Sequence, residues 1–366
     1  MATEPTAAWH PTWAVPPGDI LLEVLEERGM NQSELARRTN RPIKTINEII
    51  RGKAAITPET AIQLERVLGV SARFWNGLES TFRDHLAREQ ARQELEGSTA
   101  WLDGFPLTDL FRRKLIPRHA NKADIVGALL SFFRVSSPSA WERHWLNPLA
   151  SYRASETFMA SPKATAAWLR WGEIEAAKVG VPAFDSQRFR EVLKAIPPLT
   201  RRAPFSQIFK QVQAMCAEAG VIVLLTPELE GTRVSGVARW MGDRPVIQLS
   251  ARHKTDDQFW FAFFHEAGHI LQSTRRRAFI EILEEDDAQD RTADEADANT
   301  FARDTLVPRE YYDAFVAAGE ITEDTVRRFA KEQDVAPGIV VGRLQRDGLV
   351  DPSHMYPLKK KISLPS

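Results

Sequence analysis

The stretch that most limits how this chain can fold is Phe261-Ala262-Phe263-Phe264-His265-Glu266-Ala267-Gly268-His269-Ile270-Leu271. On a helix, His265 and His269 leave the same face one turn apart. That is the bite a single zinc ion needs from two nitrogen ligands at about 2.0–2.1 Å. Glu266 lies about 100° round from His265 and can serve a water at the ion without ligating it. Trp260, Phe263, Phe264, Ala267, Ile270 and Leu271 form the opposite stripe, able to bury the back of the helix. The plainer alternative, two histidines buried on a core helix, asks for the same packing but leaves Glu266 without a task.

Two histidines do not complete a site, because a catalytic zinc wants a third protein ligand and an open position. The H-E-x-x-H pattern has an extended form requiring Gly at 272 and His at 275. Gln272 and Arg275 stand there, which excludes that branch. The remaining common solution is a carboxylate from a later helix. Glu295 and Asn299 are four apart on the segment Ala293–Leu306 and share a face. Glu295 is therefore expected as the third ligand, and Asn299 as an acceptor for a ligand histidine's distal N–H. Asp294, Asp297, Glu281 and Glu284 compete, but Asp297 lies about 200° from Glu295 on the wheel and cannot face the metal with it.

Composition narrows the setting. The 366 residues are 43% hydrophobic and 27% charged with a formal net charge of −1, so any nucleic-acid surface must be local. Cys216, the single cysteine, excludes an intrachain disulfide and a cysteine-cluster zinc site and fits a reducing compartment. No basic start leads into an apolar run, and no apolar stretch is long enough to span a bilayer. A cytoplasmic location without membrane contact is the expectation.

The N-terminal part reads as short helices with sharp stops after a Pro-punctuated arm (1–16). Asp19–Arg28 ends at Gly29; Asn31 caps Gln32–Arg38, with Glu34 as capping-box partner; Pro42 opens a third helix that ends at Gly52. Thr57-Pro58 starts a fourth, stopped by Gly69, and Ser71 starts a longer one toward Ala91. Two short helices joined by a tight turn inside five describe a helix-turn-helix module whose third helix enters the major groove. Lys44, Thr45 and Asn47 are then placed to meet base edges. Gln32, Ser33, Arg37, Arg38, Arg41, Arg51 and Lys53 surround them for phosphates, and Glu48 is the only acid between residues 37 and 53.

Beyond residue 92 the chain reads as Trp- and Phe-rich helices to about 204, with Trp141, Trp145, Trp168 and Trp171 at helical spacing as core. A helix Phe205–Ala219 and three short strands follow: Val221–Thr226, Val234–Met241 and Val246–Leu249, the last two joined by Gly242-Asp243-Arg244-Pro245. A charge-dense loop, Arg275–Asp290, precedes Ala293–Leu306. Arg252, His253 and Lys254 are weak candidates for oxyanion stabilisation. The expected fold is multidomain, mainly α with a small β-sheet. It comprises a flexible arm (1–16), a five-helix DNA-binding bundle (17–92), a helical middle region (93–204), an α+β zincin-like metallopeptidase domain (205–350) and a tail (351–366) whose short basic run Lys359-Lys360-Lys361 is expected to be disordered.

Two resemblances sharpen this. Gly29-Met-Asn-Gln-Ser-Glu-Leu-Ala36, Ile46-Asn-Glu-Ile-Ile-Arg-Gly-Lys53, Ile56-Thr-Pro-Glu-Thr-Ala61, Leu68-Gly69 and Phe74-Trp75 resemble the Xre-type repressor fold, and within it the HigA-type antitoxins. The resemblance implies a homodimer on a palindromic double-stranded operator. His265-Glu266-Ala-Gly-His269 with Glu295-x-x-x-Asn299-x-Phe301-Ala302, Pro308 and Ala336-Pro-Gly-Ile-Val-Val-Gly-Arg-Leu344 resembles the ImmA/IrrE metallopeptidases. That implies a zinc endopeptidase acting on a repressor- or antitoxin-type protein; the HigA resemblance implies a cognate toxin as the alternative partner. The expectation is a DNA-binding regulator with a built-in zinc peptidase. The alternative is an antitoxin-like repressor whose peptidase fold senses a partner without cutting.

Overall fold

The structure is a computed structural model describing residues 14–146, 161–202, 204–250, 255–272 and 288–362, with backbone alone for 288–292. The chain divides into two compact units between Ala100 and Trp101.

The first unit holds α1 (Pro17–Glu27), α2 (Gln32–Arg38), α3 (Ile43–Ile50), α4 (Pro58–Leu68) and α5 (Ala72–Gly97). Leu21, Leu25, Leu35, Ile46, Ile49, Leu64, Leu68 and Trp75 form its core. Asn31, Thr57 and Ser71 each cap the following helix, accepting a backbone N–H at 2.9, 3.3 and 3.3 Å. Gly69 ends α4 at φ 68°, the left-handed conformation that glycine adopts without a side-chain penalty. One expected detail differs. Glu34 supplies its N–H to Asn31, but its carboxylate turns to Arg37 and Arg38 instead of closing a capping box. Two guanidinium groups within a turn compete better for it than one N-cap amide.

The second unit begins with α6 (Leu107–Arg112), α7 (Lys122–Phe133), α8 (Pro138–Trp141), α9 (Pro162–Ala176), α10 (Ser186–Ala195) and α11 (Phe205–Glu218). Trp141, Trp145 and Trp168 are buried as expected of core residues, while Trp171 is partly buried with Arg113 against its ring. Three strands follow, β1 (Ile222–Leu225), β2 (Gly236–Met241) and β3 (Arg244–Leu249), in the order β1-β3-β2. β1 pairs parallel with β3, and β2 antiparallel with it. The turn between β2 and β3 is Gly242-Asp243 alone, so Arg244 and Pro245 join the strand. Proline is tolerated there because it pairs with Trp240 and β1 begins its pairing only at Val246. Then come α12 (Asp256–Gln272), α13 (Ala288–Leu306), α14 (Arg309–Ala317), α15 (Glu323–Glu332) and α16 (Pro337–Arg346).

No division falls at 204/205. Phe189, Leu193, Ile196 and Leu199 share one core with Phe263, Phe264 and Val340. A buried polar lattice ties α9 to the sheet as well. Gln248 donates to the Trp168 carbonyl and to Thr226 Oγ1, both at 2.8 Å, and Arg239 donates to the Leu169 carbonyl at 2.6 Å. Arg239 also pairs with Glu173 at 3.2 Å. Apolar periodicity located these helices; their partners lie far off in sequence and were not legible.

The C-terminal residues correct the expected disordered tail. Met355, Leu358 and Ile362 are buried in the same core. Lys359 Nζ meets Asp257 Oδ2 at 2.7 Å, with the two side chains 7% and 5% exposed. Lys360 N–H donates to Asp256 Oδ1 at 2.9 Å, and Thr255 bridges to Lys361. Two acids opening α12 are buried, and a buried carboxylate demands a cation or donors. The lysine run supplies them.

Candidate metal centre and nucleic-acid interface

α12 presents its apolar stripe inward: Trp260, Phe263, Phe264, Ala267 and Ile270 are buried, Leu271 partly so. That leaves His265 and His269 on the other face, half-buried, with Nε2 atoms 3.1 Å apart. Glu295 arrives from α13, its Oε2 3.3 Å from His265 Nε2 and its Oε1 3.5 Å from His269 Nε2. Ligands at 2.0–2.1 Å on the corners of a tetrahedron stand about 3.3 Å from one another. One ligand atom from each of His265, His269 and Glu295 lies within 4.8 Å of the other two, so among the described residues these three are grouped as a metal site needs.

Gly268 brings the two helices to that distance. A Cβ there would lie 3.2 Å from Phe301 Cδ1 and 3.3 Å from Ala298 Cα, both on α13. The small residue inside the histidine pair thus sets how near Glu295 can come.

Glu266 sits within electrostatic reach of both imidazoles and of Glu295. It is 8% exposed and accepts the Ala238 backbone N–H from edge strand β2. Burial pushes its carboxyl above the ordinary range, opposed by both imidazoles and by Ala238, and reinforced by Glu295. Gly236 lies against it too: a Cβ at Gly236 would sit 2.9 Å from Leu249 Cδ2 and 3.0 Å from Glu266 Cγ. The stretch Gly236–Trp240 of β2 belongs to the segments that resemble the peptidase family, but the contacts of Gly236 and Ala238 with Glu266 join residues far apart in sequence and carry no local signal. For His269, burial disfavours the charged form, but Glu295 and Glu266 outweigh it and the net shift is upward. Hydrogen bonds from the two imidazoles, His265 first, hold Glu295 well below the usual carboxylate range.

The expected outer support is not found. Asn299 makes no hydrogen bond to either imidazole among the described residues, and His265 Nδ1 is buried without a partner. Among the rival acids, Asp297 is exposed, Asp294 acts on His269 through its charge, and Glu281 and Glu284 lie outside the described residues. Arg252, His253 and Lys254 lie outside them as well, as does most of the loop Arg275–Asp290. Cys216 is a buried core residue whose thiol burial pushes up to about 12.

In the first unit, α3 buries Ile46 and Ile49 and turns Lys44 outward, its side chain 84% exposed. Thr45 and Asn47 are partly exposed on the same short helix, and Ser33 and Arg51 are exposed near it. Gln32 is partly exposed at the start of α2. Not every basic group is uncommitted: Arg37 and Arg38 share Glu34, Arg41 donates to Gln63 Oε1 at 2.5 Å, and Lys44 stands 3.8 Å from Glu48. No helix of the described residues is long and apolar enough to cross a membrane.

Residues 21–75 match the helix-turn-helix family model, and residues 217–345 match a peptidase family model described as the IrrE N-terminal-like domain. The chain is similar to the uncharacterized HTH-type transcriptional regulator YddM of Escherichia coli, 39% identical over 66 residues, which is 18% of this chain and 70% of the relative. Among solved structures, it is similar to PA4674 of Pseudomonas aeruginosa in complex with its operator DNA, 34% identical, TM-score 0.20, covering 20% of this chain and 82% of that one. It is similar also to an addiction module antidote protein of a HigA family from Coxiella burnetii, 26% identical, TM-score 0.21, covering 23% of this chain and 91% of that one.

Proposed function

Because the chain belongs through residues 21–75 to the helix-turn-helix family and through residues 217–345 to the IrrE N-terminal-like peptidase family, we propose that it is a DNA-binding transcriptional regulator with a zinc-dependent endopeptidase of its own. Its substrate is a repressor- or antitoxin-type protein. The observation that carries this reading is the meeting of His265, His269 and Glu295, one ligand atom from each within 4.8 Å of the others, with the acid Glu266 buried beside them.

His265, His269 and Glu295 would hold the ion. Zinc bound there supplies Lewis acidity toward a carbonyl oxygen and toward water. Glu266 takes the proton from the attacking water and returns it to the leaving amine. Its raised affinity for a proton suits that exchange, and the Ala238 N–H steadies the carboxylate while it happens. On the DNA side, α3 lies in the major groove with Lys44, Thr45 and Asn47 toward the bases, and Gln32, Ser33 and Arg51 hold phosphates. A homodimer through the first unit would read a palindromic operator.

The test is metal analysis and a cleavage assay on candidate repressors encoded nearby. Glu295→Ala is expected to lose most of the bound zinc. Glu266→Gln is expected to keep zinc and DNA binding while cleavage falls by at least a hundredfold. A wild-type protein that holds one zinc yet cuts no candidate, indistinguishable from Glu266→Gln, would favour the non-cleaving sensor.

A further inference from the structure

Ile43 opens α3 and is 46% exposed, where the other large apolar residues of α2 and α3 are buried (Leu35, Ile46, Ile49) or partly buried (Ile50). It stands alone in this among polar groups. Ser33 and Arg37 on α2 are exposed, and Lys44 follows it directly. Ile46 and Ile49 fix the inward side of α3, so the outward arc runs through Lys44, Asn47, Glu48 and Arg51. Ile43 lies on the flank of that arc, one turn before Asn47. Pro42, the N-cap of α3, makes no side-chain capping bond.

A helix that enters the major groove does so with its forward residues against base edges. In that groove the single apolar group a base pair presents is the thymine 5-methyl, which aliphatic side chains contact. We infer that Ile43 reads a thymine methyl, fixing thymine at a base neighbouring the one met by Asn47. The inference rests on the DNA-reading half of the proposed function and adds to it the residue that selects T by shape instead of by hydrogen bonding. A 5-methylcytosine offers the same group and would satisfy the same contact.

The experiment uses the full-length protein to select duplexes from a random-sequence pool, then measures binding of the selected duplex with each thymine replaced in turn by deoxyuridine. One replacement is expected to weaken wild type by about three- to fivefold, the worth of a single buried methyl. The same replacement should leave Ile43→Ser unchanged, and 5-methylcytosine should not suffer the loss. Because Ile43 is so exposed, Ile43→Ser should fold as wild type, which the circular dichroism of both proteins checks. Selected duplexes that show no Ile43-dependent deoxyuridine penalty would overturn this inference while leaving the DNA reading intact. A changed oligomeric state in Ile43→Ser with an unaltered penalty would overturn it in favour of a protein contact. Failure to enrich any duplex would remove both.

Discussion

Single side chains decide whether the candidate centre can close. His265 and His269 need only helical periodicity to share a face, but Glu295 meets them because Gly268 has no side chain to hold α13 away. Gly268→Val is expected to force Phe301 and Ala298 outward, at a cost of about 1–3 kcal/mol. It should weaken zinc binding at least tenfold, read by competition with a chelator. Unchanged zinc affinity would mean that the spacing of these helices does not set the ligand geometry. The pairing of residue with neighbour also explains one missed detail. Asn299 shares a helix face with Glu295, as its spacing says, but sharing a face does not bring an amide within reach of a ring nitrogen.

At the scale of elements, α12 is held from three directions: its apolar stripe sits in the core, β2 lies along Glu266, and the C-terminal segment grips its first turn. The buried Lys359–Asp257 pair belongs to that grip. Removing one partner leaves an uncompensated charge, so Lys359→Ala is expected to cost about 3–5 kcal/mol. Replacing both, as Lys359→Met with Asp257→Asn, should recover much of the loss. Hydrogen exchange at the amides of α12 is the measurement, and a single variant that exchanges as slowly as wild type would show the grip to be dispensable. Charge patterning alone made Lys359–Lys361 a disordered tail, and it erred because the acids that fix Lys359 and the Lys360 backbone are about a hundred residues away.

For the whole molecule, the two units have separate cores, one built on Leu21, Leu64 and Trp75 and the other on Phe263, Phe264 and Val340. Each ligand should therefore stabilise its own unit. Zinc at a thousandfold excess over its dissociation constant is expected to add about 4 kcal/mol to the unit of residues 101–366. A selected DNA duplex should stabilise only the unit of residues 1–100. Calorimetry with each ligand in turn checks this, and two transitions that move together under zinc alone would contradict it.

The sequence by itself determined what short-range periodicity and residue chemistry can encode. Those were the five helices with their caps, the histidines on one helix face, the carboxylate placed to join them, and a three-stranded sheet ahead of them. These follow from repeats of two and 3.6 residues and from side chains whose chemistry is local. Only the tertiary structure decided how closely α13 could approach, which backbone N–H reached Glu266, and that Phe189 and Met355, Leu358 and Ile362 share one core. Those are distances between residues far apart along the chain. They are set by packing and by the need to compensate buried charge, and no window along the sequence contains both sides of such a contact.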